Sequence, residues 1–210
     1  MKNKTMLWST LLCLAPILLG VALYDQLPDI VPTHFNIHGE PNGWSSKEVA
    51  VFGMPVFLAA INFVCHWATS RDETMRKASP KILLNLVYWI TPAISFIIVP
   101  VTLFMALGKQ VPIVLICSLM VGLSLVVIGN YLPKCKPNFY MGIKLPWTFA
   151  SEENWYKTHR FGGKVWVLCG FAALIGGIFQ MEWLLVGALF AAILLPCLYS
   201  YLEFKRSDEK

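Results

Sequence analysis

Residues 129–164 read GNYLPKCKPNFYMGIKLPWTFASEENWYKTHRFGGK and form the longest polar interruption in an otherwise apolar chain. The stretch is basic through Lys134, Lys136, Lys144, Lys157, Arg160 and Lys164. It is aromatic through Tyr131, Phe139, Tyr140, Trp147, Trp155 and Tyr156. Pro133, Pro137 and Pro146 each lack an amide donor and restrict the residue before them, so no continuous helix is expected before Pro146. Ser151 then stands where an N-cap belongs, with Glu152 and Glu153 in the first turn, where carboxylates suit the positive end of the helix dipole. The pattern predicts a short helix from Ser151 to about Phe161, weakened at Gly162 and Gly163, lying on a membrane surface. On it, Trp155 and His159 share one side, while Lys157, Arg160 and Lys164 recur on another.

Outward from this stretch the chain is hydrocarbon-like. Of its 210 residues 57% are hydrophobic and 14% charged, with a mean hydropathy of +0.61, too little charge to cover a soluble surface. Six apolar runs, 6–23, 49–68, 83–107, 112–131, 165–181 and 183–202, contain no Asp, Glu, Lys or Arg. Each is about long enough to cross a bilayer core as a helix. The N-terminal run is read as a first span rather than a cleaved signal, because no small-x-small site follows it near Tyr24. The expected fold is an all-α integral membrane protein of six transmembrane helices. A two-helix unit (1–68) carries an outer segment (24–48), and a four-helix unit (83–202) carries the polar stretch.

With six spans both termini share a side, and 15 of the 17 Lys and Arg residues fall on that side, leaving only Lys47 and Lys109 opposite. The positive-inside rule then predicts cytoplasmic termini and a cytoplasmic 129–164 stretch in a multi-pass cell-membrane protein. Topology accounts for the net charge of +5, so no direct nucleic-acid partner is expected.

The outer segment alternates Thr33, Phe35 and Ile37 with His34, Asn36 and His38, a period-2 pattern that predicts a short strand over Val31–His38. Gly39 to Gly43 is a turn cluster including Glu40, and Trp44 is expected to anchor at the outer interface as the second span begins. His34 and His38 would lie about 13 Å apart along a strand, too far to share one ion, so no metal site is expected. Polar groups in or beside the spans (Asn62, His66, Asn85, Asn130) admit two readings, a cytoplasm-facing cavity or hydrogen bonds between helices. Gly170, Ala173 and Gly177 offer a close-packing face on the fifth span. Six cysteines show no C-x-x-C pair, and Cys135 is a candidate for acylation. No H-E-x-x-H, G-x-S-x-G or phosphate-loop motif is present, and no charged residue sits in a span. An enzyme is not expected, and no cofactor is implied.

The run Asn130–Thr148, containing Pro137, Asn138, Gly142, Lys144, Pro146 and Trp147, and the run Ser151–Gly163, containing Trp155, Lys157, Thr158, His159, Arg160 and Gly162, closely resemble the signature of the SdpI family. Lys144 stands where the family has arginine. Leu27–Trp44 resembles the uncharacterised domain that often precedes that signature. The resemblance implies a bacterial membrane protein of toxin immunity or signalling, which confers resistance to a secreted peptide and recruits a soluble repressor to the membrane. The expected ligand or partner surfaces are therefore His34, Phe35, Asn36, His38, Glu40 and Trp44 outside, and the signature residues inside, with membrane lipid around both. A small transporter, a lipid-handling membrane enzyme or a scaffold subunit are the alternatives from other classes.

Overall fold

In a computed structural model, which describes residues 2–71 and 73–208, six helical stretches are long and apolar enough to cross a bilayer: Lys4–Gln26, Val49–Arg71, Lys81–Ala106, Ile113–Lys134, Glu152–Ile178 and Glu182–Ser207. The elements in order are α1 (Lys2–Leu14), α2 (Pro16–Leu23), β1 (Ile30–Phe35), β2 (Pro41–Ser46), α3 (Met54–Arg71), α4 (Glu73–Ala78), α5 (Lys81–Ala106), α6 (Ile113–Tyr131), α7 (Pro146–Ala150), α8 (Glu152–Ile178) and α9 (Glu182–Asp208). Packing divides them into two compact units, Met1–Asp72 with Leu84–Ile113 and Glu73–Leu83 with Val114–Lys210. This partition takes most of α5 with the first two spans, and so differs from the two-plus-four grouping of 1–68 and 83–202.

In the first unit, a π-helical turn over Val49–Gly53 precedes α3, with the Met54 amide reaching Val49 O. This wider turn comes just before Pro55, which cannot donate to an α-helical ladder. Gly20 lets α2 close onto it, since a Cβ there would sit 2.6 Å from a Val51 methyl. Val31, Leu27, Val51, Val99 and Leu103 form a buried cluster that ties the base of the hairpin to α5. The polar candidates Asn62 and His66 are structural in this unit. Asn62 Oδ1 accepts from Ser9 Oγ (2.9 Å) and Thr10 Oγ1 (3.1 Å) while its amide donates to Tyr88 O (3.2 Å). His66 Nε2 lies 2.9 Å from Ser9 Oγ, and its ring stacks on Tyr88. Asn85 and Asn130 are exposed.

In the second unit α6 and α8 run antiparallel along a glycine seam. Gly129 meets Gly163, Gly122 meets Gly170, and Gly177 sits against Ser118. A Cβ on Gly163 would lie 2.6 Å from Gly129 O and one on Gly170 would lie 2.7 Å from Gly122 O, so the two backbones touch. Members recur every seven residues, two helical turns, which keeps them on one face. Gly170, Ala173 and Gly177 are buried here, with both glycines packed inside the unit. A turn through Gln180, at φ 54°, then returns the chain into α9.

Gly162 and Gly163 do not end a helix. The expected separate surface helix is instead the first three turns of α8, which runs unbroken for 27 residues. Glycine lowers helix propensity in water, but between membrane helices it is selected for close approach. The short α7 at Pro146–Ala150 lies between the two long helices that enter the polar stretch, and Pro146 fits its first turn because no donor is needed there. At 1.5 Å per residue α8 is about 40 Å long against a hydrocarbon core of about 30 Å. Its charged residues gather at the N-terminal end, so that end projects beyond the core. Asn154 bonded to Ser200 brings the C-terminal end of α9 alongside.

Candidate functional site

The polar stretch folds back onto the projecting end of α8. Ser151 caps the helix, accepting the Asn154 amide at 3.3 Å. Trp155 and His159 are both fully buried. The Trp155 indole N–H donates to Cys135 O at 2.9 Å, pinning the chain as it leaves α6. Its ring stacks on His159, with centroids 4.0 Å apart. His159 Nδ1 lies 2.7 Å from Trp155 O, which can only accept, so that nitrogen carries the proton. Nε2 is then free to accept the Ile143 amide at 3.0 Å, and a neutral imidazole clamps the middle of the loop.

Gly142 is the residue this clamp requires. Its φ of 123° disfavours a side chain, and a Cβ would collide with His159 Nε2 and approach Trp155 to 2.9 Å. Asn138, also buried, builds the preceding turn: Oδ1 accepts the Tyr140 and Met141 amides at 2.9 and 2.8 Å, and its amide donates to Lys136 O and Met141 O. Thr148, which sequence reading did not single out, accepts the Leu145 amide at 2.9 Å and closes α7 onto the loop. Gly162 faces Ile143 and Pro196, where a Cβ would come within 2.6 Å of the isoleucine.

Thr158 and two residues absent from the sequence reading, Asn154 and Ser200, make a buried network. Asn154 Oδ1 accepts from both hydroxyls at 2.8 Å, and its amide donates to Ser200 O at 2.9 Å. The i, i+4 spacing of Asn154 and Thr158 was a visible signal, but Ser200 is 46 residues away. Lys157 is not a lone solvated cation: it bridges Glu153 (2.9 Å) and Glu203 (2.8 Å), and Glu203 also meets Arg206. A cleft of about 480 Å³ opens over these groups, lined by Ser151, Glu153, Asn154, Lys157, Glu203, Arg206 and Ser207.

The remaining signature residues divide between exposed and partly buried positions. Lys144 is exposed and donates to Phe139 O at 3.3 Å, while Pro146, Arg160 and Lys164 are exposed too. Pro137 is half-buried, and Trp147 packs against Tyr201 and Phe204. Phe139, 77% exposed, stacks on exposed Phe149. Cys135 is fully buried, and burial pushes its thiol up to about 11, so it is closed to acylation.

Residues 134–200 match the SdpI/YfhL protein family. That match runs from the loop through α8 into α9, the region just described. Residues 11–59 match a domain of unknown function, DUF1648, which spans the end of α1, α2, the hairpin and the start of α3. The chain is 28% identical over 207 residues to the immunity protein SdpI of Bacillus subtilis (strain 168), covering 97% of each. No solved structure matches the chain. With six apolar spans and this family match, it is a multi-pass membrane protein.

The segment covered by the second match carries the other candidate residues. β1 and β2 pair antiparallel, with Pro32 opposite Trp44 and Thr33 Oγ1 3.2 Å from Ser45 Oγ. Asn36 makes the turn: Oδ1 accepts the His38 and Glu40 amides at 2.9 Å, its amide group donates to Glu40 Oε2 at 2.9 Å, and Gly39 takes φ 80°. His34 Nδ1 pairs with Asn42 Oδ1 at 2.5 Å, a partner on the opposite strand rather than His38. Phe35 is half-buried at the strand end. Trp44, expected as an anchor at the head of the second span, belongs to β2 and is 58% exposed. At the hairpin base Lys47 binds Asp29 at 3.0 Å, which holds the ammonium above the usual lysine range. Glu48, bonded by Ser46 and Tyr24, is held below the usual carboxylate range.

Proposed function

We propose that this chain is an immunity protein that protects its own cell from a toxic peptide, receiving the peptide at the 24–48 segment on the outer face and relaying to a soluble repressor through the signature surface on the inner face. What carries the reading is the near-complete co-linearity with an immunity protein, 97% of each chain. The inward placement of the signature rests on the charge asymmetry of the connections. The hairpin supports the receiver role physically, as a folded polar segment with its indole and imidazole on the surface.

The test expresses the chain in a toxin-sensitive bacterial strain and scores survival during challenge with secreted peptide. Survival is expected to rise with the gene. It should be lost when His34–Gly43 is replaced by a Gly/Ser linker, with membrane abundance unchanged. Survival retained after that replacement moves recognition into the spans. Equal survival with and without the gene rejects immunity and leaves the transporter or lipid-enzyme reading.

A further inference from the structure

Between the spans of α3 and α5 the chain passes through α4 and Ser79, and this link docks on the signature loop: the Lys136 amide donates to Ala78 O at 2.9 Å. Two polar atoms on the link, one on half-buried Arg76 and one on Ser79, are enclosed without a hydrogen-bond partner among the described residues. Arg76 Nε and Ser79 Oγ are both buried and neither makes a hydrogen bond, although Ser79 as a whole is only 7% exposed. Arg76 lies in the last turn of α4 and Ser79 is the first residue beyond it, on either side of Ala78, whose carbonyl meets Lys136. Buried donors without acceptors are costly, and each calls for an explanation, a bound ion among them. Neighbouring Lys77 has its charge answered by Glu73 at 3.1 Å, whereas Arg76 has no ion pair among the described residues.

We propose that Arg76, Ser79 and Lys136 form a phosphate-binding site where the link meets the signature loop. Arginine presents a planar fork of donors suited to phosphate oxygens, and the serine hydroxyl adds a third. Lys136, exposed at the same junction, supplies a second positive charge. The site adjoins the start of the span at Lys81 and the end of the span at Lys134, which is the depth of the phosphate layer of a bilayer. The phosphate is therefore that of an anionic phospholipid headgroup or a free phosphate ion. This inference does not depend on the immunity reading.

The experiment uses the full chain in nanodiscs of mixed phosphatidylcholine and phosphatidylglycerol, with bound lipid counted by native mass spectrometry. In a parallel arm, inorganic phosphate is added to delipidated protein and tryptic cleavage at Lys77 and Lys81 is timed. For a lipid site, retained phosphatidylglycerol falls about tenfold in Arg76→Gln and in the nearly isosteric Ser79→Ala, and not in Lys164→Gln. For a free-phosphate site, retention is indifferent to the variants while inorganic phosphate slows cleavage in the wild type only. If both variants retain lipid and phosphate slows nothing, or if Lys164→Gln loses as much lipid as they do, the site does not exist.

Discussion

The hairpin at 30–46 and the loop at 135–151 are polar inserts of similar length that leave spans and return to them, yet they are held in opposite ways. The loop is pinned from beneath by buried groups. A fully buried indole bonds its first carbonyl, a fully buried imidazole bonds its middle amide, and a glycine at φ 123° makes room for both. The hairpin is tied at its base by Val31 and otherwise organised by Asn36, His34, Asn42 and Thr33 bonding across its own exposed surface. Most of the residues that carry the family signature are thus scaffold. The exposed candidates, within reach of a partner, are Asn130, Lys144, Pro146, Lys157 and Arg160 on the signature side, and His34, His38, Glu40 and Trp44 on the hairpin.

The largest effect expected from this contrast is at Trp155. Trp155→Ala removes a ring with no solvent exposure and frees the Cys135 carbonyl, a loss of about 3–5 kcal/mol. Detergent-solubilised protein should melt well below wild type and reach the membrane at low abundance. Wild-type melting would mean that the loop is held elsewhere. A smaller effect is expected at Asn36→Ala, which removes the acceptor for two turn amides, about 1 kcal/mol. Global melting should not move, while proteolysis within 36–42 should quicken. A global shift would show that the hairpin is as integral as the loop, and the contrast would fail.

The smallest effect is the pH response of the hairpin base. The Glu48 carboxyl is lowered in the folded state, so its stabilisation is complete above the usual carboxylate range and fades as pH falls through the lowered value. Lys47 is raised, so its contribution is complete below the usual lysine range and fades as pH rises through the raised value. Hairpin cleavage by pH-tolerant proteases should therefore be slowest between those limits and quicken at both extremes. A flat profile would remove the base ion pair from the account.

The spans were legible because a run of about 20 apolar residues without charge has few alternatives, and the first strand because Thr33 and Phe35 alternate with His34, although Asn36, Ile37 and His38, expected in that strand, form the turn instead. β2 was not legible. PNGWSS is made of turn-forming residues, and it becomes a strand only through the Thr33–Ser45 and His34–Asn42 pairings supplied by β1. The N-cap at Ser151 and the burial of Trp155 with His159 could be read from local spacing. Ser200 and Glu203 could not, because their partners lie 46 residues away and no periodicity connects them. The continuity of α8 was hidden for a different reason. Gly162 and Gly163 are poor helix formers in isolation, and only the neighbouring α6, Ile143 and Pro196 explain their presence.

The glycine seam has a mechanical meaning. Where most helix pairs are separated by a layer of side chains that can change rotamer, α6 and α8 touch carbonyl to backbone at Gly129–Gly163 and Gly122–Gly170. At those two crossings no compliant layer lies between them, so a push on the projecting end of α8 has little that is soft to deform there. The indole and imidazole that grip the loop are on the same helix, three and seven residues beyond its first residue, Glu152. Loop, helix end and seam are thereby joined into one stiff unit that runs along α8 from Trp155 to Gly177.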